Sequence, residues 1–250
     1  MLSSAVAAMN RAQLTVTRDA LSTAYLDEIG YKGPRLEASD VALKLPYDAP
    51  PPRDDDGKVR VGLNVSGLLF NGGYSRDNQF GLAADYPTMV RAIVEDLRAR
   101  PEVELHFVGH VIAEHIPVED DQRVCEALAA EYPGTIAAPA FRHPSEAKSY
   151  IAGLYFFMGA RMHACIAAFS SGVPVLPMAY SRKFGGLFGT LGYDALIDCR
   201  TDEIETARAK TAEAYEGRAA LRDLAREKLA EGLAKLDAYG RVVGEALDRV

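Results

Sequence analysis

The chain has 250 residues, of which 48% are hydrophobic and 25% charged, enough to bury the core of one large domain or one and a half. Its net charge of −7 argues against a general nucleic-acid binder, but still allows a few cations in a cleft to bind an anionic small molecule. No run reaches the ~18 apolar residues of a membrane helix. Residues 1–15 lack the positive start and apolar block of a signal peptide, so we expect a cytoplasmic protein with no transmembrane segment.

The cysteine and histidine spacings give no sign of a metal centre. The three cysteines are widely spaced, form no CxxC pair and lie in apolar stretches, which predicts reduced core residues: Cys125, Cys165 and Cys199. His106, His110 and His115 are close in sequence, but no cysteine or carboxylate stands at an obvious zinc spacing from them. We therefore expect no bound metal.

The first 47 residues contain few elements. The pattern predicts helices over 2–14 and 18–30, the second ended by Gly30, and short strands over 15–17 and 41–46. These are too few for an independent α/β domain, so residues 1–47 are interpreted as the remnant of an N-terminal domain. Residues 48–57 are rich in Pro and Asp without apolar periodicity, which is typical of an extended linker.

Residues 58–250 alternate between apolar strands and amphipathic helices, which predicts one complete Rossmann-like domain with a doubly wound parallel sheet. The predicted strands cover 59–67, 103–109, 135–140, 154–159, 173–178 and 195–199. The predicted helices cover 86–100, 120–132, 145–152, 161–171 and a final stretch of 201–250, with breaks near Gly217 and Gly240.

Ligands of such sheets bind at the carboxyl ends of strands, near helix N-termini, which directs attention to the GARMH segment at 159–163. Arg161 offers a fork-shaped cation suited to phosphate or carboxylate, and His163 offers a proton donor or acceptor near neutral pH. An alternative stays open, in which Arg161 caps a neighbouring strand and His163 is a core histidine.

Several other polar side chains follow strands at the same predicted edge. Each alone is typical of a surface loop, but their number favours a common binding site: Asn64, Ser66, His110, Arg142, His143, Tyr180 and Lys183. No GxGxxG, GxxxxGK[ST] or GxSxG motif is present, which argues against dinucleotide, P-loop and hydrolase-elbow chemistry.

The stretch GARMHACIAAFSSGVPVLPMAYSRKFGGLFGTLGY (159–193) resembles the signature region of the polysaccharide pyruvyl transferases. The segments RDALSTAYLDEIG (18–30), SDVALKLP (39–46) and VGLNVSG (61–67) also resemble parts of that family. The resemblance implies a GT-B-like fold, and transfer of pyruvate from phosphoenolpyruvate to a sugar as a ketal. The partners would be phosphoenolpyruvate and a glycan or lipid-linked sugar acceptor, with no further cofactor.

By the same resemblance, the residues that match phosphoenolpyruvate-binding positions are Arg18, Arg161, Met162 and His163. His163 would act as acid and base, with Arg161 among the catalytic residues, and Lys183 would assist the departure of phosphate. The other candidates, Asn64, Ser66, His110, Arg142, His143 and Tyr180, would bind substrate.

Two other functions remain open from the sequence. A GT-B glycosyltransferase would use a nucleotide-sugar, and its donor site would normally need an acidic residue for the ribose. A non-catalytic remnant would act as a binding or dimerisation module, because only about 50 residues precede the linker. Homo-oligomerisation also stays open.

Overall fold

The computed structural model describes residues 2–51 and 56–248. Positions 52–55 of the predicted linker lie outside the described residues. The elements before it are α1 (Leu2–Met9), β1 (Thr15–Thr17), α2 (Ala20–Glu28), β2 (Arg35–Glu37) and a 3₁₀ helix (Val41–Lys44). β1 and β2 pair in parallel as a two-stranded sheet.

Two predictions for this part of the chain were wrong. Helix α1 ends at Met9 rather than at residue 14. The stretch 41–46 is not a strand, because the carboxylate of Asp40 accepts a hydrogen bond from the Ala42 amide and starts a 3₁₀ turn. Strand β2 was not predicted.

After the linker, six parallel strands form one sheet, which confirms the predicted α/β architecture. They are β3 (Val59–Asn64), β4 (Val103–Phe107), β5 (Ile136–Ala137), β6 (Phe156–Gly159), β7 (Val175–Ala179) and β8 (Ile197–Asp198). Their spatial order is β5-β4-β3-β6-β7-β8. The order reverses direction between β3 and β6, so a crevice opens at the carboxyl ends of these two strands.

The helices between the strands lie on both faces of the sheet. They are α3 (Gly67–Phe70), α4 (Tyr86–Arg98), α5 (Asp121–Glu131), α6 (Pro144–Ala152), α7 (Met162–Ser170), α8 (Arg182–Thr190), α9 (Ile204–Glu216) and α10 (Arg218–Leu247). The predicted break at Gly217 separates α9 from α10, but α10 continues through Gly240, where a break was predicted. Helix α8 was not predicted.

The core alternates between the two faces of the sheet. Phe156 and Met158 pack into the cluster on one face, whereas Phe157 between them packs into the cluster on the other. The three cysteines are free and buried, as expected. Within the described residues, no helix is both long and apolar enough to cross a membrane.

The segment before the linker contacts the six-stranded unit directly. Helix α2 packs on α8, and the 3₁₀ helix packs on α7 and α10. Gly186 of α8 lacks a side chain where α2 begins: a Cβ there would lie 3.2 Å from the Asp19 carboxylate. Whether residues 1–47 and 58–250 are separate domains stays a prediction.

A buried lysine fixes the chain as it leaves the 3₁₀ helix. Nζ of Lys148 donates hydrogen bonds to the carbonyl oxygens of Leu43 (3.3 Å) and Leu45 (2.9 Å), and lies 4.8 Å from the ring centre of Tyr47. Burial lowers the pKa of Lys148 from 10.5 to about 8, because the ammonium loses its hydration.

This lysine predicts a pH dependence of stability. Between pH 8 and 10.5 the unfolded chain holds the Lys148 proton while the folded chain releases it, so the free energy of unfolding should rise with pH across this window. Lys148→Met should remove that rise, measured by urea unfolding at pH values on both sides of the window. Lys32→Met, at an exposed position, is the control. An identical pH profile in wild type and Lys148→Met would contradict the prediction.

Candidate functional site

The crevice between β3 and β6 is crossed by a buried polar network. Asn64, at the end of β3, accepts a hydrogen bond from the Arg161 amide (2.8 Å) and donates one to the Val108 carbonyl (2.8 Å). Gly159 makes this close approach possible, since a Cβ at that position would lie 2.7 Å from Cβ of Asn64. Asn64 therefore joins the ends of three strands.

Arg161 points into this network rather than into open solvent. Its Nε donates to both carboxylate oxygens of Asp121 (3.1 and 3.2 Å), and its Nη2 donates to Oδ1 of Asp121 (2.8 Å) and to the Glu119 carbonyl (2.9 Å). The side chain of Asp121 is fully buried and that of Arg161 is 12% exposed. The Arg161 guanidinium, which was predicted to bind an anionic ligand, thus already pairs with the carboxylate of Asp121.

Asp121 also satisfies backbone donors at the crevice. It accepts hydrogen bonds from the amides of Gly67 (2.8 Å), His110 (3.2 Å) and Val111 (3.0 Å). Backbone amides gathered beside an arginine are a common arrangement for binding a phosphate. In this chain the Asp121 carboxylate occupies that position, so an internal anion already satisfies these donors.

The open space lies above the crevice, against the segment before the linker. Two adjoining cavities of about 490 and 400 Å³ share Asp40, Val41 and His163 in their walls, and together we call them the Asp40 cleft. Oδ2 of Asp40 accepts a hydrogen bond from Nη1 of Arg18 (2.8 Å) and lies 3.9 Å from Nε2 of His163. Arg18 and His163 thus meet at one carboxylate.

These two side chains remain accessible to a ligand. The His163 side chain is 56% exposed and that of Arg18 is 35% exposed, whereas Asp40 is buried. Within the described residues, Nη1 is the only side-chain nitrogen of Arg18 that donates a hydrogen bond. Nε lies 3.9 Å from Oδ2 of Asp19, so an anion that approaches Arg18 meets this carboxylate as well as that of Asp40.

His110 forms part of the same wall. Its Nδ1 atom is buried and has no hydrogen-bond partner among the described residues. Burial lowers its pKa to about 4, with the charges of His163 and Arg161 contributing and Asp121 opposing. The ring is therefore neutral at neutral pH, and its Nδ1 needs a partner that a ligand could supply.

Four predicted residues are placed by packing or capping. Asn64 is in the buried network, Ser66 caps α3 through the Leu69 amide, Met162 is 8% exposed in the core, and Tyr180 packs against Phe80. Their predicted roles in binding substrate stay predictions.

Three further predicted residues lie away from the Asp40 cleft. Lys183 is exposed in the first turn of α8 and lines neither of its cavities. Arg142 and His143 line a neighbouring cleft beside Tyr47. His143 caps α6, and Glu146 accepts a hydrogen bond from the Arg142 amide (2.8 Å).

Sequence reasoning did not identify Asp40, Asp121 or Lys44 as members of the site. Lys44 lines the Asp40 cleft and pairs with Asp237 of α10. Asp40 and Asp121 each stand at the start of a helix, where an acidic residue is usually interpreted as a cap. The two arginines offered the available signal. Arg18 and Arg161 would each need a carboxylate partner if they were buried, and that requirement pointed to an acidic residue nearby.

The fold is that of the GT-B glycosyltransferases. Sucrose-phosphate synthase from Thermosynechococcus elongatus is similar with a TM-score of 0.60 at 15% identity, over 100% of this chain and 62% of that chain. Trehalose 6-phosphate synthase from Burkholderia multivorans is similar with a TM-score of 0.53 at 12% identity, over 98% and 62%. A putative UDP-N-acetylglucosamine 2-epimerase from Listeria monocytogenes has a TM-score of 0.54 at 12% identity, over 98% and 77%.

The chain belongs to the polysaccharide pyruvyl transferase family, whose model matches residues 2–182. The match includes both Arg18 and the GARMH segment. No curated protein sequence matches the chain. The chain spans about three fifths of the length of the first two of these solved structures, and the identities are low, so the structures show the fold alone.

Proposed function

We propose that the protein transfers the pyruvyl group of phosphoenolpyruvate to two hydroxyl groups of a sugar, on a glycan or a lipid-linked acceptor, and forms a cyclic ketal. One observation carries the proposal: Arg18 and His163, far apart in the sequence, meet at Asp40 inside the segment that matches the family. An accessible guanidinium beside an accessible imidazole suits a donor that is anionic and must be protonated.

The donor phosphate or carboxylate would bind the N–H groups of Arg18 that donate no hydrogen bond within the described residues. Lys44 adds a second cation to the cleft wall, and the neutral His110 adds its Nδ1, which has no hydrogen-bond partner among the residues that the structure describes. Both cations already have carboxylate partners, Asp40 and Asp19 for Arg18 and Asp237 for Lys44, so the donor has to share them. The affinity for the donor should therefore depend on the charges of these carboxylates.

The chemistry balances with acid and base groups alone. The methylene carbon of phosphoenolpyruvate takes up a proton and becomes the methyl group, while a sugar hydroxyl oxygen bonds to the central carbon. The second hydroxyl oxygen then bonds to the same carbon, while the bond between that carbon and the phosphate oxygen breaks. The two hydroxyl groups lose two protons, which balance the proton on the methyl group and the one on the released phosphate. We assign the proton transfers at the donor to His163.

The test is calorimetric titration with phosphoenolpyruvate. Wild type should bind, and Arg18→Ala should lose about 1.5–3 kcal/mol, roughly 10- to 150-fold in affinity, because a charge-assisted contact is removed. Arg200→Ala, at an exposed position that lines neither cavity of the Asp40 cleft, should bind like wild type.

Asp40→Asn provides a test of opposite sign. Asparagine can still accept the Ala42 hydrogen bond, but the negative charge beside Arg18 is gone, so phosphoenolpyruvate should bind more tightly. No binding by wild type, or equal binding by Arg18→Ala, would overturn the proposal. Binding of UDP-glucose in place of phosphoenolpyruvate would instead favour a nucleotide-sugar donor.

A further inference from the structure

A second cleft lies beside the Asp40 cleft and has aromatic walls. It has a volume of about 640 Å³, and Tyr47 lines it together with Phe141 and Tyr150. The rings of Phe141 and Tyr150 are in contact, with centres 5.5 Å apart. Tyr47 is 37% exposed, so part of its side chain can contact a ligand in this cleft. We call this the Tyr47 cleft.

The aromatic side chains are held in fixed orientations. The Tyr150 hydroxyl is 2.6 Å from Nδ1 of His106, whose Nε2 is 3.0 Å from a Glu104 carboxylate oxygen. Nζ of Lys148 lies over the ring of Tyr47, 4.8 Å from its centre. The rings are thus preorganised, which lowers the entropy lost when a ligand binds.

The rim of the Tyr47 cleft is polar. The side chains of Asp48, Arg142, His143 and Glu146 line it, and Arg142 and His143 are exposed. Aromatic faces surrounded by charged donors and acceptors match a sugar, whose C–H face is apolar and whose edge carries hydroxyl groups. The volume is in the range of small-molecule sites, so a short saccharide can be accommodated.

The two clefts meet along one ridge. Leu45 and Pro144 line the Asp40 cleft, and the residues next to them in the chain, Pro46 and His143, line the Tyr47 cleft. A chain of sugars that leaves the Asp40 cleft across this ridge therefore enters the Tyr47 cleft.

We infer that the Tyr47 cleft is a glycan subsite, which holds sugar units of the acceptor beyond the one that reacts in the Asp40 cleft. The inference rests on the proposed function for the identity of the acceptor. Binding of a saccharide to the Tyr47 cleft is itself independent of phosphoenolpyruvate.

Saturation-transfer NMR tests this on the purified chain, with an equimolar mixture of maltose, cellobiose, lactose and mannobiose. At least one disaccharide should show transfer with wild type. Tyr47→Ala should weaken its binding by roughly five- to ten-fold, since an aromatic face is lost. Arg142→Ala, an exposed rim position that leaves the core unchanged, should also weaken it. Tyr25→Ala, another exposed tyrosine that does not line the cleft, should not.

Transfer that is absent with wild type, or equal in wild type, Tyr47→Ala and Arg142→Ala, overturns the inference. The same samples are titrated with phosphoenolpyruvate, which separates this failure from that of the proposed function. Phosphoenolpyruvate binding without saccharide binding rejects the subsite alone. Saccharide binding that depends on Tyr47, without phosphoenolpyruvate binding, keeps the saccharide site and rejects the pyruvyl donor.

Discussion

Asp121→Asn is expected to destabilise the protein by about 3–5 kcal/mol, because it leaves the buried guanidinium of Arg161 without its counter-charge. The amide nitrogen of asparagine would also replace one carboxylate oxygen and face the donors of that oxygen, either the Gly67 amide on Oδ1 or the His110 and Val111 amides on Oδ2. The free energy of unfolding from urea titration measures the effect. A single domain of ordinary stability would lose a large part of its margin.

The chain offers a matched control on its surface. Asp96 pairs with Arg208 through two hydrogen bonds of 2.7 Å, but both side chains are more than one third exposed. Asp96→Asn should therefore cost only about 0–1 kcal/mol. Adding Arg161→Met to Asp121→Asn should recover part of the loss, since the unpaired charge is removed. Equal losses for Asp121→Asn and Asp96→Asn would contradict the assignment of Arg161 as an internal partner.

The sequence predicted the strands of the large sheet because each is a short apolar run between helical patterns. It did not predict β2, which has three residues and is defined by its pairing with β1. It also missed α8, whose three glycines argue against a helix. That helix forms where Phe184, Leu187 and Phe188 are buried, so tertiary packing outweighs propensity.

The 3₁₀ helix at Val41–Lys44 was also mispredicted from the local sequence, but for another reason. The alternation of VALKLP indicates a strand, but Asp40 caps the first turn of the 3₁₀ helix through the Ala42 amide. At the other end, Lys148, which is distant in sequence, donates hydrogen bonds to two carbonyl oxygens of the segment. No local pattern contains that lysine. Its burial follows only from how α6 packs, which a single sequence does not specify.

The candidate site was predicted in part for a related reason. Motif spacing brought attention to Arg161 and His163, which stand two residues apart at the start of α7 but face different surroundings. Arg161 is turned into the crevice by Asp121, and His163, two residues further, is on the exposed side beside Asp40. The residue types indicate anion binding at this edge, whereas the carboxylate partners decide which arginine is available.

His163 carries the largest functional effect expected from the proposed function. His163→Gln should lower kcat for pyruvyl transfer by roughly 10²–10⁴-fold, because glutamine keeps a polar group near Asp40 but cannot transfer a proton. Phosphoenolpyruvate affinity should change little, since Arg18 rather than His163 holds the donor. The measurement is phosphate release from phosphoenolpyruvate with an acceptor glycan present, beside a calorimetric titration of the donor.

Stability separates this effect from a structural one. The His163 side chain is 56% exposed, so its replacement should change the free energy of unfolding by less than about 0.5 kcal/mol. His115→Gln, at an exposed position that does not line the Asp40 cleft, should keep full activity. If His163→Gln kept activity within ten-fold of wild type, proton transfer would have to be assigned to another group. His110 would be the next to replace, since it lies in the same wall and its Nδ1 has no hydrogen-bond partner in the part of the chain that the structure describes.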